Sequence, residues 1–157
     1  MSTIAQLLAS EMDDRLARRL DTLSHVAKSF TMDETVLTAR ASVLVRQQTA
    51  LQHLFDGLYL IDVKGNILAE TPESYGLTGF NVSHRDYFQN ASQRLTPVIS
   101  EPYVSIHQDQ PAVMIAAPIF DHRQRFIGMI GGALLLSGEN FMEEVAGLRI
   151  GETGYLG

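Results

Sequence analysis

Residues 79–91 read GFNVSHRDYFQNA, a loop of small polar residues that runs into a cation, an anion and two aromatics. Ser83 is a good N-cap with Asp86 three positions later, which predicts a short helix over 84–94. Arg85 then falls at the second helical position, beside the unpaired N–H groups of the first turn. Helix N-termini attract anions through those donors and the macrodipole. A planar guanidinium added there suits a carboxylate. Tyr87 offers a hydroxyl and an aromatic wall, and Ser83 and Asn81 offer neutral polar groups. The competing reading makes Arg85 the partner of a surface acid, with Tyr87, Phe88 and Ala91 as a core-facing side.

Other chemistry finds little support. The run GMIGG at 128–132 lacks the spacing of a phosphate loop and falls inside a strand pattern rather than at a strand-to-helix turn. Gly131 and Gly132 there read as room for a ligand or a packed helix. The five histidines show no metal-ligand spacing, and with no cysteine, thiolate metal sites, disulfides and a cysteine nucleophile are excluded. No cofactor is expected, and no motif argues for catalysis. With two lysines and a net charge of −6, the chain has no basic face for nucleic acid.

The elements that must position Arg85 follow from periodicity. The 157 residues, 45% hydrophobic, suffice for one domain with a core. Apolar positions from Ile4 to Phe30, spaced by three or four, predict one long helix over 2–30, either a core helix or a stalk that pairs with a second copy. A capping box at Thr31 and Glu34 predicts a second helix running toward Phe55. Residues 58–70 read as a hairpin about Lys64, Gly65 and Asn66. Residues 97–108 are extended, 112–120 and 125–136 form a second hairpin, and a helix follows from Ser137 to Gly147. Antiparallel strands with helices packed on them make an α+β fold. The longest apolar run, Ile127–Leu136, is shorter than the ~20 residues of a spanning helix.

The segments LYLIDVKGNILAE, GFNVSHRDYFQNA, PVISEPYVSIHQDQPAVMIAAPIFD, FIGMIGGALLL and RIGETGYLG, in this order, resemble the Cache family, the PAS-like extracytoplasmic sensor modules of bacterial receptors. The resemblance covers about residues 55–157. It implies a five-stranded antiparallel sheet flanked by helices, a long N-terminal stalk helix, and a small-molecule pocket on the sheet face. It divides the single sensor domain 1–157 into helices including the stalk (1–55), a PAS-like membrane-distal module (56–148) and the start of a following segment (149–157), as in double-Cache receptors. The ligand contacts it implies fall on Arg85, Tyr87, Ser83, Tyr103, Ser105 and Met114, with Ala116 as a further inward position. Ser105 stands where amino-acid-binding members carry an acid for the ammonium group, and tryptophan is absent, so a small organic acid is the first expectation. The implied whole is a periplasmic domain of an inner-membrane receptor, homodimeric at full length and anchored by spanning segments outside this chain. Its output would be a diguanylate cyclase or histidine kinase. The alternatives are a ligand-free dimerisation module, its pocket filled by Phe88, Tyr75 and Tyr103, or a chemoreceptor domain.

Overall fold

A computed structural model of the chain describes residues 3–73, 76–104 and 111–136, with side chains from residue 16 onward. Helix α1 spans Thr3–Ser29, close to the predicted range. At 1.5 Å per residue its 27 residues extend about 40 Å. Leu23, Ala27 and Phe30 of its apolar stripe are buried, and Leu16 and Leu20 pack partly against the same core.

The predicted second helix is two helices, α2 (Glu34–Arg46) and α3 (Thr49–Leu54). The capping box at Thr31 does not form: Asp33 is the N-cap, and its side chain makes no capping hydrogen bond. The break at Gln47 and Gln48 is held by side-chain amides. Nε2 of Gln48 donates to the Leu44 carbonyl at 3.2 Å, and Nε2 of Gln52 to the Arg46 carbonyl at 3.1 Å. These acceptors would otherwise be orphaned at the helix end.

Six strands follow: β1 (Gly57–Ile61), β2 (Ile67–Thr71), β3 (Val98–Ile99), β4 (Tyr103–Val104), β5 (Pro111–Phe120) and β6 (Phe126–Leu135), with α4 (Asp86–Arg94) between β2 and β3. They form one antiparallel sheet in the order β2–β1–β6–β5–β3, with β4 also on β5. This corrects the expected five strands to six, because the extended segment after α4 splits at Glu101–Pro102. Proline has no N–H to give a ladder. At the break the Ser100 hydroxyl accepts from the Met114 N–H at 2.8 Å and donates to the Glu101 carbonyl at 2.9 Å.

The sheet separates two apolar cores. Helices α1, α2 and α3 cover one face over Phe55, Leu58, Leu60, Ile115 and Ile130. Helix α4 and the segment before it cover the other, over Tyr59, Ile61, Met114 and Met129. Two adjacent glycines on β6 serve opposite faces. A Cβ on Gly132 would lie 2.5 Å from the Phe55 ring, and one on Gly131 would lie 3.0 Å from the Met114 sulfur. The room expected at these glycines is therefore taken by protein side chains. Among the described residues no helix is long and apolar enough to cross a membrane. The helix expected over Ser137–Gly147 and the final segment 149–157 lie outside the described residues.

Candidate ligand-binding site

The site begins at the β1–β2 turn. The Asp62 carboxylate accepts from the N–H groups of Lys64 and Asn66, both at 2.9 Å, and closes the turn. Gly65 sits at φ +93°, and a Cβ there would meet the Ser83 backbone nitrogen at 2.8 Å. This bare turn receives the segment leading to α4. The Val82 N–H donates to the Gly65 carbonyl at 2.8 Å, and the Asn81 amide donates to the Lys64 carbonyl at 3.0 Å and to Asn66 Oδ1 at 2.9 Å. The hairpin thereby fixes where α4 starts.

That start differs from the expected one. Arg85, not Ser83, is the N-cap of α4, and its side chain makes no capping hydrogen bond. Asn81 Oδ1 accepts both the N–H and the hydroxyl of Ser83, so the side chain that would have capped the helix is engaged outside it. Ser83 is exposed and is not brought to the aromatic cluster by any hydrogen bond of its side chain. Arg85 shifts from the second helical position to the boundary, leaving its guanidinium free to lie along the sheet side of the helix.

The Arg85 guanidinium carbon sits 4.8 Å from the Tyr103 ring centroid, within cation–π range. The Tyr103 and Tyr87 centroids are 6.3 Å apart, with the rings tilted by 33°. Arg85 and Tyr103 are half-buried and Tyr87 is buried. Asp86 Oδ2 accepts from the Glu101 N–H at 3.2 Å, fastening the β3–β4 connection to the helix and so positioning Tyr103. Met114 is buried beneath the same cluster, its sulfur over Gly131. Ala116, also buried, pairs with Gly131 on the neighbouring strand. Ser105 and Tyr75 lie outside the described residues. Phe88 and Ala91 are buried on the core side of α4.

Burial pushes the Tyr103 hydroxyl up to about 12, with Arg85 opposing the rise and Asp86 adding to it. The Tyr87 hydroxyl rises further, again mainly by burial and then by the neighbouring Tyr103. Both phenols therefore stay protonated at any physiological pH and can donate hydrogen bonds. One guanidinium and two phenolic donors on one side of an apolar floor can receive an anion.

The structure adds a residue that sequence reading missed. Glu70 on β2 is 4% exposed, and its Oε1 accepts from the Leu77 N–H at 2.7 Å, the Thr78 N–H at 2.9 Å and the Thr78 hydroxyl at 3.0 Å. The only sequence signal for it is a carboxylate inside the otherwise apolar run ILAE. A separate cleft of about 450 Å³ lies between the start of α2 and the β5–β6 turn, lined by Asp33, Glu34, Asp121 and Arg125 among others. Its three acids suit a carboxylate poorly.

Comparison with known proteins agrees with this architecture. A family profile described as the Cache domain matches residues 1–157. Sporulation kinase D of Bacillus subtilis (strain 168) is 26% identical over 106 residues, covering 68% of this chain and 21% of that protein. The ligand-binding domain of the Pseudomonas aeruginosa PAO1 amino acid chemoreceptor PctB, in complex with L-Gln, superposes with a TM-score of 0.66. It is 22% identical, over 85% of this chain and 53% of that one. The ligand-binding domain of the Pseudomonas fluorescens chemoreceptor CtaA, in complex with L-isoleucine, gives 0.66 at 23% identity, over 83% and 53%. The chain thus spans about a fifth of the kinase and about half of each chemoreceptor domain.

Proposed function

This chain belongs to the Cache domain family, and on that premise we propose that it is the extracytoplasmic sensing domain of a transmembrane receptor that binds a small carboxylate. The carboxylate, of an organic acid or an amino acid, lies on the Arg85 guanidinium and accepts from the Tyr87 and Tyr103 hydroxyls. Met114 and Ala116 form the apolar floor, and Ser105 is a further contact. The observation that carries this reading is the Arg85 guanidinium held 4.8 Å over Tyr103, with Tyr87 alongside.

In this reading residues 56–148 are the membrane-distal module of a double-Cache receptor, periplasmic, with α1 as its stalk and a homodimer at full length. Ligand closing the site shifts the terminal helices by an angstrom or two and so biases a cytoplasmic output. The similarity to a sporulation kinase supports a histidine kinase over a diguanylate cyclase.

Thermal-shift titration of the parent and Arg85→Ala against small acids and amino acids tests the site. Ligand at 100 times its Kd stabilises the parent by about 2.7 kcal/mol. The same compound leaves Arg85→Ala unshifted. Stabilisation that survives the loss of Arg85, or no stabilisation of the parent by any carboxylate, sinks the proposal.

A further inference from the structure

Among the described residues, none accepts a hydrogen bond from the Arg85 guanidinium, although the side chain is half-buried. The Tyr103 ring lies against the guanidinium, its centroid 4.8 Å from the central carbon, which leaves the in-plane N–H fork for an acceptor. The adjacent acid does not take that place. Asp86 turns its Oδ2 to the Glu101 N–H at 3.2 Å and makes no ion pair with Arg85.

Asp86 is kept there by the strand link it binds. Glu101 is held at both of its backbone polar groups, for Asp86 accepts from its N–H and the Ser100 hydroxyl donates to its carbonyl at 2.9 Å. Ser100 is buried and tied twice to Met114 on β5. Its N–H donates to the Met114 carbonyl and its hydroxyl accepts from the Met114 N–H, both at 2.8 Å. Pro102, its φ fixed by the ring, then leads straight into Tyr103. The anion of Asp86 is therefore fastened beside the cation of Arg85, through the link that also carries the stacked ring.

The Asp86 charge is felt inside the cluster. It raises the proton affinity of both the Tyr87 and Tyr103 hydroxyls, while Arg85 lowers both. Val82, Ala91, Met114 and Ala116, which pack in the same cluster, carry no charge. One cation thus stands against one fixed anion. A first carboxylate on the guanidinium fork tips that balance to negative. A second carboxylate on the same short molecule finds no second cation in the described cluster and is repelled by Asp86.

We propose that the Arg85 site is a receptor for short monocarboxylates, and that Asp86 is the residue that turns dicarboxylates away. The inference rests on the Arg85 reading above and narrows its ligand class. It asks nothing of the filled sheet face beneath α4, because a short acid spans only the fork and the two phenols.

Calorimetric titration of residues 1–157 with acetate, propionate and butyrate, and with the matching dicarboxylates malonate and succinate, reads the difference. The parent binds a monocarboxylate at least about tenfold more tightly than the dicarboxylate of equal length. Asp86→Asn keeps a carbonyl oxygen for the Glu101 N–H and removes the charge. It narrows that ratio by about three- to tenfold, and the narrowing shrinks as salt is raised. Glu101→Gln, which removes the neighbouring exposed charge, leaves the ratio as in the parent. If dicarboxylates bind the parent as well as monocarboxylates, or the ratio survives Asp86→Asn, or Glu101→Gln narrows it equally, the Asp86 assignment is overturned and the Arg85 site stands. If no acid of either series binds the parent, both are overturned.

Discussion

Tyr87 and Tyr103 owe their high proton affinity to burial more than to any charge, and this gives the site a signature in alkali. Both hydroxyls ionise above their ordinary value of 10.0 when folded. The folded state holds these protons more tightly than the unfolded chain, so their contribution is complete below pH 10 and is lost as pH rises toward 12 and beyond. Thermal melts of the parent should fall steeply across that window. The double variant Tyr87→Phe, Tyr103→Phe should show a shallower fall, and an equal slope would mean that neither phenol is buried as described. At neutral pH the same variant keeps the apolar packing and lacks both donors, so its carboxylate affinity should drop while its melting temperature changes little.

Elements were legible where period and turn chemistry act alone, and illegible where a side chain substitutes for backbone. The stripe from Leu16 to Phe30 and the turn at Gly65 could be read because burial and φ select residue type directly. The break between α2 and α3 could not, because glutamine amides end a helix without the residues that usually announce its end. Ser83 was a sound cap by type, but Asn81, two residues earlier, already held its hydroxyl. Ser100 splices two short strands onto β5 through one hydroxyl, which no alternation pattern records. Glu70 depends on donors seven and eight residues away in a loop, beyond any local periodicity. Helix α4 also ends against preference, for its C-cap Leu95 is left-handed at φ 58°. A branched side chain costs roughly 1–2 kcal/mol there, and Leu95 is exposed, so little packing is lost on removing it. Leu95→Gly should stabilise the domain by about 1 kcal/mol in denaturant unfolding. A loss of stability would show that the leucine contributes packing.

At the scale of the molecule, the sheet joins the layer of α1, α2 and α3 to the layer of α4 and its aromatic cluster, and the two come close across β6. Gly132→Ala drives a methyl into the Phe55 ring and should cost about 1–3 kcal/mol of unfolding free energy. Phe55→Leu introduced into that variant should recover part of the loss, a coupling visible in a double-mutant cycle. Additive losses would mean that the helical layer gives way elsewhere. Phe55 follows Leu54, whose carbonyl accepts from Nε of Arg19 on α1 at 2.9 Å, so the ring stands one residue from the longest helix.

The back-to-back glycines make that region a window in the wall. On one side rests the Met114 sulfur and on the other the Phe55 ring, with a single bare backbone as the pane. A bulkier side chain at Met114 should therefore be read out at the ring across that backbone, and the residue before Phe55 is the one bonded to Arg19 of α1.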